Sequence, residues 1–375
     1  MNRIITLTLC ALVFCTGAAV AASFTPGNLV IYRVGDGTGS LVNTGAKVFL
    51  DEYTTNGTLV QSIELPSNPS DPNQLVASGT ATSEGLLTRS VDGLWLFLTG
   101  YRPNPFPYGS QLNTTLGSAV NRVVGRVNAA GTLSTMALAD FSSGNNPRSA
   151  TSTDGSEVWM VGGAGGLRYA AWGDASSIQV TTSALVNIRQ VKIFNNQLYV
   201  STGSGAANTV LMSVSGGLPT TTNQYFETLP GLPSATASSV YSFVMADLSG
   251  TEPGLDTLYV AMDTQNAINK YCLSGGTWQY YGAVVATNYR GLDGVVSGTA
   301  VTLYSTTGGS GPSGGGTLAT VTDSSGYQGT LTGTLTVLAT AAPNTAFRGV
   351  ALAPIPEPGT LALAVVTTLF ALRRR

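Results

Sequence analysis

Apolar residues in this chain recur in short runs that alternate with polar ones, and each run is closed by Gly, Asn or Asp. Glu157-Val-Trp159-Met-Val follows Asp154-Gly155, and Gln197-Leu-Tyr199-Val follows Asn195-Asn196. Leu94-Trp95-Leu follows Asp92-Gly93, and Thr257-Leu-Tyr259-Val follows Leu255-Asp256. Alternation with a period of two, bounded by Asp-Gly and Asn-Asn pairs, predicts strands joined by hairpins. Composition agrees. Gly, Ser, Thr and Val abound, with 46 glycines, while runs of Ala, Glu, Lys and Leu are missing.

The strand pairs form a repeat. A first strand begins near Leu86, Arg148, Arg189, Tyr241, Arg290 and Arg348. After each of the first five comes a second strand ending in an aromatic, then two weaker strands. Asn269 to Leu273 and Thr277 to Tyr281, joined by Ser274-Gly275-Gly276, are the plainest of these. Four strands per unit, at irregular intervals, is the pattern of β-propeller blades. The last unit has a first strand, Phe347-Arg348-Gly-Val-Ala-Leu, and no room for three more. The N-terminus supplies them as Asn28 to Arg33, Val48 to Tyr53 and Leu59 to Leu65, with Asn56-Gly57 at the last turn. The expected fold is all-β: a single six-bladed propeller over residues 23–353, closed by both ends of the domain. Seven blades would follow if a long interval hides another. Two β-sandwiches would need a central linker, and a β-helix would need shorter and more regular repeats.

Candidate chemistry is sparse. The chain has no histidine, which excludes a Ser-His-Asp triad and a Cys-His dyad and removes the usual zinc ligand. Asp92, Asp154 and Asp256 stand at turn positions, where Asp makes local hydrogen bonds. Asp247, Glu252 and Asp256 share a loop, but their spacing matches no calcium loop. Gly35-Asp36-Gly37 and Gly308 to Gly316 lack the ending of a P-loop and read as connecting loops. No cofactor and no metal is expected.

The sharpest feature is a repeated Asn-x-Arg at the start of the innermost strand. Arg148, Arg189, Arg290 and Arg348 hold equivalent positions near one mouth of the central channel. Tyr241 and Leu86 stand there in the other two blades, with Glu84 replacing Asn beside Leu86. A partial arginine ring suits an anionic group, such as a uronate or sulfate of a polysaccharide. The competing reading is structural, with each Arg bridging to carbonyls of the adjacent blade. Tyr, Glu and Arg gathered at one mouth would also suit a carbohydrate-active lyase or hydrolase.

The two ends of the chain carry targeting signals. Met1-Asn2-Arg3 is a basic start, Ile4 to Cys15 is apolar, and Ala19-Val20-Ala21 and Val20-Ala21-Ala22 are small-x-small cleavage sites. Residues 1–22 therefore read as a signal peptide. Bulky Phe14 before Cys15 excludes a lipobox. Cys10 and Cys15 leave with the peptide, and only Cys272 remains, as an expected buried thiol. At the other end stand Pro354-Ile-Pro356-Glu357-Pro358, an uncharged run from Gly359 to Leu372, and Arg373-Arg374-Arg375. The prolines keep the motif extended. The run would span about 21 Å as a helix, a short anchor against a hydrocarbon core of about 30 Å. The arginines hold its end in the cytoplasm.

Residues 354–375 resemble the PEP-CTERM sorting signal of Gram-negative bacteria, which an exosortase recognises and cuts. The resemblance implies export, transient inner-membrane insertion, release to the cell surface or extracellular matrix, and a setting rich in exopolysaccharide and biofilm. Without Arg3, Glu357 and Arg373 to Arg375, 13 basic and 18 acidic residues remain. Such a surface does not attract nucleic acid. The expected function is a non-catalytic surface or matrix protein that binds exopolysaccharide. The alternative is the lyase or hydrolase.

Overall fold

A computed structural model describes residues 23–357, apart from 182–184, 204, 206–207, 236–237 and 310. Residues 1–22, Pro358 and Arg373 to Arg375 lie outside the described residues. The strands form six small sheets in a ring, a six-bladed β-propeller with no α-helix among the described residues.

Blade one joins the innermost Thr345–Leu352 to Leu29–Val34, Val48–Tyr53 and Leu59–Glu64. Blade two is Thr88–Arg89, Trp95–Arg102, Asn121–Asn128 and Leu133–Leu138. Blades three to six begin with Pro147–Thr151, Ile188–Phe194, Val240–Ala246 and Tyr289–Ser297. The ring closes through blade one, where Leu29 pairs with Leu352 and the Ala353 N–H donates to the Asn28 carbonyl. Expected and observed closure agree. One element differs. Gly314–Gly315 adds a short parallel strand to the innermost strand of blade one, inside a stretch that reads as a loop. A Cβ on Gly314 would stand 2.1 Å from the Thr345 carbonyl oxygen, and its φ is +68°, so the approach requires glycine.

Alternation along each strand buries both faces of a blade against its neighbours. One packed cluster joins Val30, Tyr32, Val48 and Leu50 of blade one to Leu96, Leu98 and Val123 of blade two. Another joins Tyr259, Ala261 and Ile268 of blade five to Leu292, Val301 and Leu303 of blade six. Cys272 is fully buried in the third strand of blade five.

Hydroxyl groups link the blades at the centre. Thr88 donates to the Ala150 carbonyl, Ser201 to Tyr241, Ser242 to Leu292 and Thr306 to Arg348. Each bond crosses from one blade to the next.

Candidate functional site at the channel mouth

The innermost strands all run from one mouth of the channel to the other. Near their starts, five carry a β-bulge, and the bulges coincide with the repeated positions. The register shifts at Arg148, at Arg189, between Val240 and Phe243, at Arg290, and opposite Ile31 to Arg33, where Arg348 lies. A bulge adds a residue and re-aims its side chain. The preceding Asn187 and Asn288 take φ of +61°, a left-handed turn that Asn tolerates. In blade one Ala346 stands where the other three arginines have Asn.

The bulges gather the side chains at one mouth. Arg189 and Arg290 lie over the Tyr241 ring, their guanidinium carbons 4.4 Å and 4.6 Å from its centroid. Both are half-buried. Arg290 Nη2 pairs with Asp263 Oδ2 at 2.9 Å, and Nη1 donates to the Thr82 carbonyl at 3.2 Å. Arg148 and Arg348 are buried. Arg148 Nη1 donates to Asn187 Oδ1 at 2.8 Å and to the Ile188 carbonyl at 3.0 Å. Arg348 donates to the carbonyls of Gly309 and Gly79. The four arginines thus divide. Arg148, Arg290 and Arg348 bridge neighbouring segments, as the structural reading has it, while half-buried Arg189 and Arg290 also stack on Tyr241.

Glu84 completes the group from blade two. Its Oε2 accepts from Tyr101 at 2.9 Å and from Asn146 at 3.2 Å. Burial raises its carboxyl to about 7, against the opposing pull of these bonds and of Arg348. Burial also lowers Arg148, to about 9, with Arg189 adding repulsion.

Several buried polar atoms here have no hydrogen-bond partner. They are Nε of Arg148, Arg189, Arg290 and Arg348, Oδ1 of Asp263 and Oε1 of Glu84. Buried polar groups are normally paired, and Arg102 Nε and Arg126 Nε elsewhere in the fold share this state. Sequence reasoning did not find Asp263 or Tyr101, and it placed Asn187 in the Asn-x-Arg repeat without its bond to Arg148. Asp263 lies between the second and third strands of blade five, outside the repeated position, and only the ring geometry brings it to Arg290.

The channel is spanned beneath this layer. Gln190 Nε2 crosses from blade four to the Leu87 carbonyl at 3.1 Å, and Lys192 Nζ reaches the Leu292 carbonyl of blade six at 3.0 Å. Lys192 also faces Asp293 at 3.6 Å. A cavity of about 290 Å³ lies on the far side, lined by Thr88, Thr151, Lys192, Phe194, Asp293 and Leu352. The chain enters and leaves the domain at that far mouth, where Leu29 and Leu352 pair and the Ile355 N–H donates to Gly93.

Other candidates are local. Asp92 and Asp154 accept from the backbone of Leu94 and Ser156 within their turns. The Asp256 carboxylate accepts from the Leu248 and Ser249 N–H groups, which pins the loop.

No family model matches the chain. No curated protein matches it. Similar solved structures include a proposed 6-phosphogluconolactonase from Bacteroides uniformis, at 12% identity and a TM-score of 0.43, covering 84% of this chain and 82% of the other. A second, from Bacteroides fragilis, has 14% identity and a TM-score of 0.43, with 86% and 83% covered. The extracellular domain of a hybrid two-component system from B. thetaiotaomicron has 13% identity and a TM-score of 0.40, with 84% and 34% covered. Likenesses this distant carry no activity across.

Proposed function

We propose that this is an exported protein, cut by an exosortase at Pro356-Glu357-Pro358 after transient insertion of its tail in the inner membrane. It then acts at the cell surface or in the extracellular matrix as a non-catalytic binder of acidic exopolysaccharide. The observation that carries the binding reading is the half-buried Arg189 and Arg290 over Tyr241, beside buried Arg148, with donors left unpaired. Gathering cations in a partly desolvated mouth costs energy that an anion offsets. Residues 353–357 leave from the opposite mouth, so a tail-held protein would present the arginines outward.

Arg189→Gln with Arg290→Gln tests the binding. Charge-assisted hydrogen bonds contribute about 1.5–3 kcal/mol each, so the pair should weaken binding of an acidic glycan by about 100-fold or more. Arg290→Gln also breaks the pair with Asp263, so a thermal melt of the double variant separates lost binding from lost fold. Unchanged affinity would refute the site. Binding should also weaken as salt rises. Processing is tested by intact mass in the native host, where the mature chain should lack Arg373 to Arg375. Finding them present would exclude exosortase cleavage.

A second reading, a lyase or hydrolase, draws on Tyr241, Tyr101 and Glu84 sharing the mouth with the arginines. Against it, Glu84 and Tyr101 are buried and bonded to each other. Turnover of a bound uronan, followed by the absorbance of an unsaturated product, would decide for a lyase. Release of reducing ends without that absorbance would decide for a hydrolase.

A further inference from the structure

Asn187 carries a donor that the binding reading leaves unused. Its Oδ1 accepts from Arg148 Nη1 at 2.8 Å, which fixes the orientation of the amide and turns Nδ2 away from Arg148. The other two Asn of the repeat differ. Asn146 commits its Nδ2 to Glu84 at 3.2 Å, and Asn288 is exposed. The φ of +61° at Asn187 and the bulge at Arg189 set these two side chains next to each other. A Cβ built on Gly203 would lie 3.1 Å from Asn187 Nδ2 and 3.8 Å from Arg189 Nε and Nη2, so both side chains border the space that this glycine leaves. Asn187 Nδ2 and Arg189 Nη2 meet no acceptor among the described residues, and unlike the closed Nε atom they reach solvent.

We infer that Asn187 Nδ2 and Arg189 Nη2 form one two-donor seat for an anionic group, which Gly203 keeps uncovered. This rests on the acidic-glycan reading above and assigns the contact within it. A uronate carboxylate and a sulfate ester share the chemistry, since either offers anionic oxygens to two neighbouring N–H donors. Arg148 then has a different role from Arg189. It is buried and bonded to Asn187 Oδ1 and the Ile188 carbonyl, so it positions the amide from behind and does not touch the ligand. The Tyr241 ring holds the face of the Arg189 guanidinium, which leaves its edge for the anion. Asn suits position 187 because it accepts toward Arg148 and donates toward the ligand at once. Asp would keep the first bond and lose the second. Gly203 does not take a left-handed φ, so Ala there strains no backbone, but its methyl group would crowd Nδ2.

The experiment is calorimetric titration of the full domain with trigalacturonate, sulfated maltotriose and maltotriose at low salt, with a thermal melt of each variant. Comparing the two charged sugars tells carboxylate from sulfate ester as the source of the anion, and maltotriose should bind weakest. Asn187→Asp and Gly203→Ala should each weaken binding of the charged sugar about tenfold or more while the melting temperature holds. Asp also adds charge, so a direct readout goes with it. The side-chain amide N–H pair of Asn187, assigned in an NMR spectrum by its absence from Asn187→Asp, should shift in step with ligand occupancy. Should Asn187→Asp lose its fold, Gly203→Ala decides alone. An Asn187 signal that stays still through saturation, or full affinity in Gly203→Ala, would overturn the two-donor seat and leave the arginine site standing. No binding of either charged sugar would overturn the acidic-glycan reading itself.

Discussion

At the scale of single residues, buried charges decide most of the behaviour. Lys270 is fully buried between blades five and six, and its Nζ meets Asp323 at 2.8 Å, Gly326 O at 2.6 Å and Gly329 O at 2.8 Å. Tyr259 donates to the same carboxylate at 2.6 Å. Removing one partner leaves the other charge unpaired, so Asp323→Ala should cost about 3–5 kcal/mol in a denaturant melt. Burial raises the Asp323 pKa, but Lys270, Ser325 and Tyr259 pull it below its ordinary value. Its contribution to stability is therefore present above the unfolded pKa of about 4 and is lost as pH falls below it. Glu84 behaves in the opposite sense. Its folded pKa, about 7, lies above the unfolded value, so stability falls as pH rises from about 4.5 through 7. Glu84→Gln should flatten that slope in a series of thermal melts. Arg348, Arg148, Arg122, Tyr101 and Tyr32 face Glu84. Its ionisation reduces the net positive charge at the mouth. Acidic-glycan affinity should drop across the same window, and a flat profile would show that Glu84 does not face the ligand.

At the scale of elements, the inner strands work through bulges and hydroxyls. Each bulge turns one side chain toward the mouth, and each hydroxyl ties its strand to the next blade. This gives the abundant Ser and Thr a second role beside strand propensity. Ser201→Ala removes the donor to the Tyr241 carbonyl at a fully buried position. It should cost about 1–3 kcal/mol and loosen the strand that holds Tyr241. Thr302→Ala, which breaks an exposed pair with Thr322, should stay within about 0.5 kcal/mol. Equal effects would mean that the inner hydroxyls do not brace the ring. Glycine serves the same junctions. A Cβ on Gly349 would stand 2.4 Å from the Gly85 carbonyl, where blades one and two meet backbone to backbone.

At the scale of the molecule, closure and polarity go together. Blade one is built from both ends of the domain, so the ring has no open edge at its seam. Deleting residues 23–66 would remove the three outer strands of blade one and strip the innermost strand of its partner Leu29–Val34. The product should aggregate on a sizing column and be cut by protease within the exposed strand. A monomer with unchanged melting would show that closure is dispensable. The same closure pairs Leu29 with Leu352 at the mouth away from the arginines.

Much of this architecture was legible in the chain itself. The blade starts, the hairpin turns and the split blade follow from period-two alternation, Asp-Gly and Asn-Asn pairs, and a first strand left without partners. These signals are local, because a strand's buried face is set by its own side chains. The repeated Arg was legible for the same reason: equivalent positions in a repeat share one place in the ring. What the four arginines do there was not. Arg148, Arg290 and Arg348 turn onto carbonyls, and Arg189 and Arg290 stack on Tyr241. That choice depends on which loop of the next blade comes within reach. Asp263, Asn187 and the crossing of Gln190 and Lys192 arise in the same way, from residues far apart in sequence that only the closed ring brings together. Sequence determined where each blade begins and ends. Tertiary structure decided which side chains meet across the channel, because those distances depend on ring size and blade tilt, which no single segment encodes.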